Sequence, residues 1–386
     1  MTISYFRTPT TLLIGRGSVG QIAKEVKKLG ASKVLLVTDK VIVQTRLLPY
    51  VIEPLEAEEI SYDVLDEVEP EPPFDNLEEM ADKIKGRDYD LFIGIGGGSV
   101  LDATKILSIM VTNHEDIREL VGIDKVKNPG VPTILIPTTS GTGSEVTCNA
   151  ILTDKRDLVK KGIVSPYLLP AVAIVDADLT MTVPPTVTAA TGMDALVHAI
   201  ESYTSVRANE FTDGIALQAI KLISRSLRQA VFNPCDLKAR EEMAMGSLMA
   251  GVSFGNAGVG AVHALAYPLG GKFKVPHGIA NSMLLVYVMK YNVVANLKKF
   301  AEIAKTMGVP VEGLSLREAA ERAIEAMGTL SRDLGIPQRL KEVGVTSADI
   351  PALAAEASQI DRLLYNNPRR LTVKEIEQIY RDALGE

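Results

Sequence analysis

LFIGIGGGSVLDATKILSIM, residues 91–110, places an apolar run directly before three consecutive glycines and a second apolar pattern directly after them. The first part has the length and residue types of a buried strand, and the second reads as a helix that opens on the glycine loop. The same alternation recurs on both sides. TLLIG precedes SVGQIAKEVKKLG, KVLLVTD precedes VIVQTRLLPYVIEPLEA, and ISYDVL precedes PFDNLEEMADKIKG; VPTILIPTT and VAIVDADL follow later. Apolar strands separated by amphipathic helices predict an α/β domain built on a doubly wound, Rossmann-like, mostly parallel sheet covered on both faces. ILTD and KGIVS, near residues 151–165, read as a hairpin inserted into it.

Near Pro184 and Pro185 the pattern changes, and the remaining segments all carry helical periodicity. The expected organisation is therefore an α/β dinucleotide-binding domain over residues 1–182 and an all-helical metal-binding domain over 183–386. A chain of 386 residues fits two domains at about 150 residues each.

Composition narrows the function classes. Hydrophobic residues make up 46% and charged residues 23%, a globular balance. The net charge is −7 and no basic block is present, which argues against a nucleic-acid partner. Two cysteines, Cys148 and Cys235, are too few for a disulfide framework and read as core thiols in a reducing compartment. The N-terminal residues lack an export pattern, and no run reaches the ~18–20 apolar residues of a membrane span. A cytoplasmic protein with no membrane partner is expected.

Two glycine loops compete for a dinucleotide. Gly15-Arg16-Gly17-Ser18-Val19-Gly20 matches G-x-G-x-x-G, with Asp39 nineteen residues further on at the end of KVLLVTD. The other is Gly96, Gly97, Gly98 and Ser99, where backbone N–H groups at a helix start favour an anion. A third loop, PTTSGTGSEVT, offers the hydroxyls of Thr138, Thr139, Thr142, Ser144 and Thr147, more than a structural turn requires. Beside the triple-glycine loop it would hold an extended cofactor at the C-terminal edge of the sheet.

The chemistry concentrates in residues 191–277, which hold three of the four histidines. Asp194 and His198 stand four apart and share a helix face. His263 lies in a second apolar run, expected to stop near Pro268 and the Gly270-Gly271 pair. His277 follows Pro276, where another helix should begin. Singly, a core histidine or a first-turn aspartate would explain each residue. Together, one carboxylate and three imidazoles in apolar surroundings are satisfied at once by a divalent ion, with iron(II) and zinc both compatible. His114, in TNHED, reads as a surface residue.

GGGSVLDATK, PTTSGTGSEVT, the Asp194–His198 spacing, HALAYPLGG, VPHG and NPRRLTVKEIEQIY together resemble the iron-containing alcohol dehydrogenase family, over nearly the whole chain. The resemblance implies a fold like that of dehydroquinate synthase and a metal, most often iron(II), on Asp194, His198, His263 and His277. It also implies NAD with its pyrophosphate on Gly97, Gly98 and Ser99 and with Asp102 close by. Thr138, Thr139, Thr142 and either Lys160 or Lys161 would touch the cofactor, and Asp39 the adenosine ribose. Homodimers are common in the family. The implied reaction is hydride transfer between nicotinamide and a small alcohol or aldehyde. Tyr267 departs from the family, many of whose members have histidine four residues after the ligand; it is expected mainly to shape the pocket, with Phe254, Val259 and Ile151 as apolar walls. The alternatives are a dehydroquinate-synthase-like lyase, for which basic residues do not cluster around the histidines, and a metal-dependent hydrolase.

Overall fold

Strand residues of the first unit alternate between two buried cores. Leu35, Val37 and Phe92 point into one, while Val34, Leu36, Leu91, Ile93 and Ile95 point into the other. A sheet with both faces apolar must be covered on both, which is what helices connecting parallel strands accomplish. The computed structural model describes residues 3–156 and 159–385, and it has this arrangement. β1 (Thr11–Ile14), β2 (Lys33–Val37), β3 (Ser61–Leu65), β4 (Leu91–Gly96), β6 (Thr133–Pro137) and β9 (Val172–Val175) form one six-stranded sheet in the order β1-β9-β6-β4-β2-β3. Every pairing in it is parallel. β4 and β6 lie at its centre and are buried along their whole length.

A second, three-stranded sheet has the order β5-β8-β7, with β5 at Gly122–Ile123, β7 at Asn149–Asp154 and β8 at Val159–Val164. β7 and β8 are antiparallel, so the inserted hairpin is present. Two compact units result, residues 1–183 and 184–386.

The described part of the second unit contains helices and no strands. Its central helices are Pro185–Thr204, Glu210–Phe232, Leu237–Ala257, Ala261–Phe273 and His277–Asn292. Small residues set their spacing: a Cβ at Gly192 would lie 2.2 Å from Leu227 Cδ1. The segment His277–Ala295 is long and apolar enough to cross a membrane, yet 61% of it is buried within the fold, as a core helix is.

Two expectations are corrected. The His263 helix runs through Pro268 and the Gly270-Gly271 pair, near which a stop is expected, and ends just beyond them at Phe273. Proline removes one intrahelical donor, but this helix is almost entirely buried, and Tyr380 Oη donates to Leu265 O at 2.6 Å beside the break, so packing outweighs the local penalty. Cys235 is exposed, ahead of the Leu237 helix, and only Cys148 is a buried thiol.

Candidate active site

Three helices bring the predicted ligands together. Asp194 and His198 lie one turn apart on Pro185–Thr204, His263 on Ala261–Phe273, and His277 is the first residue of His277–Asn292. Gly278 permits the approach, because a Cβ there would sit 2.3 Å from the Ala190 carbonyl oxygen on the Asp194 helix. Ligand atoms of Asp194, His263 and His277 all lie within 4.8 Å of one another. Asp194 Oδ1 is 3.8 Å from His263 Nε2 and 4.0 Å from His277 Nε2. His198 stands beside this triad. Its ring stacks on His263 with centroids 4.6 Å apart, and on Phe254 at 4.2 Å.

Glu201, absent from the sequence reading, orders the centre from the same helix. Its Oε2 lies 2.6 Å from His263 Nδ1, and its Oε1 accepts from Val262 N at 2.6 Å. With a carboxylate as partner, Nδ1 carries the hydrogen and Nε2 presents its lone pair. That buried Nε2 has no hydrogen-bond partner. An unpartnered imidazole nitrogen beside a buried carboxylate and a second imidazole is a donor set that fits a divalent ion. Burial pushes the Asp194 carboxyl up, but His198, His277 and His263, with the Asn281 amide, hold it below the ordinary aspartate value. Asn281 is a second omission: its Nδ2 donates to Asp194 Oδ1 at 2.7 Å and lies 3.2 Å from His277 Nε2. Both omissions had a spacing signal, Glu201 at seven residues from Asp194 and Asn281 at four from His277.

The NNPRR segment buttresses the His263 helix. Asn366 Nδ2 donates to Val259 O at 3.0 Å, and Asn367 Oδ1 accepts from Ala261 N and, at 2.8 Å, from Asn292 Nδ2. Tyr267 is buried on the same helix, its ring centroid 6.0 Å from that of His277. Val259 is buried in the helical core, and Ile151 belongs to β7 of the first unit. His114 is exposed.

In the first unit the two glycine turns differ in what occupies them. At the GRGSVG turn, Asp176 Oδ2 accepts from Val19 N at 3.2 Å and Arg16 pairs with Asp178, so the turn already holds a carboxylate of the chain. At the other, Gly97 precedes a thirteen-residue helix, Gly98–Met110, at the end of central β4. A Cβ on Gly98 would meet Thr142 Cγ2 at 2.6 Å, whereas one on Gly97 would have nothing nearer than Thr139 at 3.8 Å. Thr138 N donates to Gly96 O at 2.9 Å, tying the two loops together.

Lys105, also unremarked in the sequence, joins the remaining loop residues. Its buried Nζ donates to Ser144 Oγ at 2.7 Å, Asn149 O at 2.7 Å and Thr147 Oγ1 at 3.4 Å, and lies 3.3 Å from Asp102 Oδ1. Asp102 Oδ2 accepts from Ile151 N at 2.9 Å. Ser144 Oγ donates to Asp102 Oδ1 and Thr147 Oγ1 to Ser144 O, and Lys105 reaches all three residues, shaping the loop. Burial pushes the Lys105 ammonium down, against the pull of Asp102. Lys160 and Lys161 diverge. Lys160 pairs with Glu71 at 2.7 Å, and Glu71 N donates to Ser99 Oγ at 3.0 Å, which sets Lys160 near the glycine loop. Lys161 pairs with Asp154 instead. Asp39, at the end of β2, caps the helix Lys40–Gln44 by accepting from Ile42 N at 2.9 Å.

Residues 9–177 match the family described as iron-containing alcohol dehydrogenase, and residues 188–384 the C-terminal part of the Fe-containing alcohol dehydrogenase family. The chain is 42% identical to lactaldehyde reductase of Escherichia coli K12 over 97% of each protein. It is 43% identical to 1,3-propanediol dehydrogenase of Citrobacter freundii over 98% of each. Among solved structures, an alcohol dehydrogenase from Oenococcus oeni superposes with a TM-score of 0.96 at 40% identity, covering 99% of this chain and 100% of that one. The chain, matched over both units, belongs to the iron-containing alcohol dehydrogenase family.

Proposed function

We propose that this protein is a metal-dependent, NAD-linked alcohol dehydrogenase and aldehyde reductase for small primary alcohols or diols. The observation that carries the reading is the bare Nε2 of His263, held by Glu201 beside Asp194 and His277. Asp194, His198, His263 and His277 would hold the ion, iron(II) by family and zinc by ligand type. When bound, a divalent ion supplies Lewis-acid polarisation of an alcohol or carbonyl oxygen, and NAD supplies the hydride acceptor.

The chain's own residues do the rest. Asp194 offsets part of the ion's charge without cancelling it. Glu201 is a positioning residue that keeps the His263 ring in one orientation. Gly97, Gly98 and Ser99 would receive the pyrophosphate at a helix start, with Thr138, Thr139, Thr142 and Lys160 around the cofactor. A screen of short alcohols, diols and aldehydes with NAD and iron(II) tests the reading by formation or consumption of reduced nicotinamide. No turnover with any of them, for protein carrying a full equivalent of iron or zinc, would refute it. We also place the protein in the cytoplasm, on the unbridged thiols Cys148 and Cys235. A homodimer is proposed on the exposed Ile3, Tyr5 and Phe6 ahead of edge strand β1, and light scattering in solution checks it.

NAD should be preferred over NADP, because the Asp39 carboxylate accepts from a ribose 2′-hydroxyl and repels a 2′-phosphate. Asp39→Gly should relieve the discrimination while costing only a few tenths of a kcal/mol, since glycine tolerates the N-cap position. Equal kcat/KM for the two cofactors in the unmodified enzyme would disprove this role.

Tyr267→Phe deletes a hydroxyl and keeps a buried ring. If Tyr267 shapes the pocket and proton exit runs through water or a ribose hydroxyl, kcat should fall by less than about tenfold. A loss of about a hundredfold or more, the size expected for a general acid or base, would assign the proton to the tyrosine.

A further inference from the structure

A cavity of about 520 Å³, open to solvent, lies in the helical unit and has a cationic lining. Its size falls in the range of about 300–1,000 Å³ typical of small-molecule sites. Lys290, Arg332 and Arg339 all line it. None of the three lies within ion-pair distance of a carboxylate among the described residues, and what sets them apart from other unpaired cations of the unit is that they line one cavity. Among the described lining residues the one acid, Asp382, accepts through Oδ1 from Gln378 at 2.9 Å. In a chain of net charge −7, three cations that line one cavity and have no ion-pair partner among the described residues give it a local positive field that favours an anion.

The cations are also partly preorganised. Arg339 Nη1 donates to Tyr287 Oη at 3.0 Å and to Asp382 O at 2.9 Å, while Tyr287 Oη donates to Gln338 O at 3.0 Å. Arg332 Nη2 donates to Thr329 Oγ1 at 3.0 Å. A guanidinium has five donors, so both arginines keep N–H groups in reserve after these bonds. The Lys290 ammonium and the Arg339 guanidinium lie 5.7 and 5.8 Å from the centre of the Tyr287 ring. That ring, together with Val286, adds an apolar wall for an organic body.

We infer that this cavity is a binding site for a small phosphate monoester, separate from the metal centre and from the glycine loops. Two guanidinium forks and an ammonium match the charge and the several acceptor oxygens of a phosphoryl dianion. The phosphate could be free or carried on an organic group, so both are titrated. The test is calorimetric titration of the metal-loaded enzyme saturated with NAD, which keeps the pyrophosphate site filled, using glycerol 3-phosphate and inorganic phosphate at fixed ionic strength.

Saturable binding of either is expected, and the tighter of the two names the source. The variant Lys290→Gln/Arg332→Gln should weaken it by about tenfold or more, the loss of one or two charge-assisted bonds. Both positions are exposed, so the variant should melt like the unmodified enzyme and keep its dehydrogenase activity. Arg339→Gln, which removes a bond to the C-terminal helix, serves as a second variant and should weaken binding to a similar extent. No saturable binding of either titrant, or equal affinity in all three proteins, would overturn the assignment.

Discussion

His263→Ala is expected to release the divalent ion and reduce turnover to background. His263 contributes the Nε2 that no group of the protein satisfies, and its loss leaves the buried Glu201 Oε2 without its imidazole partner. Leaving a buried carboxylate oxygen without its hydrogen-bond partner costs about 1–3 kcal/mol or more, so this variant also loses stability. His277→Ala is the companion variant, since the His277 side chain is 30% exposed against 3% for His263, and removing it disturbs the core less. Elemental analysis after gel filtration should find little metal in either. A chelator should lower the melting temperature of the unmodified enzyme and leave that of the variants unchanged, because only a bound ion contributes linkage stability. Glu201→Gln should give an intermediate result, weakening metal affinity by about 10–100-fold as loss of a ligand-orienting partner does. Full metal content and normal rates in His263→Ala would remove this histidine from the centre.

The sheet was legible because two buried faces impose an unbroken apolar run, and such runs stand out between helical patterns. The candidate metal cluster was legible because histidine is scarce here and Asp194 and His198 share a helix face, and the fold gathers Asp194, His263 and His277. What spacing alone does not contain is side-chain rotation, so the stacking of His198 on His263 and Phe254, beside the triad, could not be foreseen. Lys105 escaped notice for another reason. A lysine in an apolar helix reads as a residue whose head reaches water, and only the fold shows Ser144, Thr147 and Asn149, some forty residues away, closing over it. The extension of the His263 helix past Pro268 has a similar cause, since local breaking propensity is a weak rule inside a well-packed core.

Gly98→Ala should raise the KM for NAD by about tenfold or more, equivalent to about 1.4 kcal/mol of binding, whereas Ser18→Ala should change it by less than about twofold. The contrast rests on what each turn encloses. At Gly98 the added methyl would meet the Cγ2, Cβ and Oγ1 of Thr142 at 2.6–3.0 Å, so the hydroxyl-rich loop or the helix start must move, and both belong to the proposed pyrophosphate cradle. The Gly98–Met110 helix begins at the end of central β4, where its first N–H groups lack intrahelical partners and are available to an anion. At the GRGSVG turn the corresponding place is taken. Burial pushes the Asp176 carboxyl up, the backbone N–H groups of Val19, Asp178 and Gly17 pull it back, and these contacts use donors that a phosphate would need. Ser18 Oγ makes only a long bond, 3.4 Å to Val175 O, so its removal disturbs little. Steady-state kinetics with NAD varied at saturating alcohol decide the matter, with thermal melts to show that both variants stay folded. A larger KM effect from Ser18→Ala than from Gly98→Ala would return the pyrophosphate to the first turn and require Asp176 to vacate it.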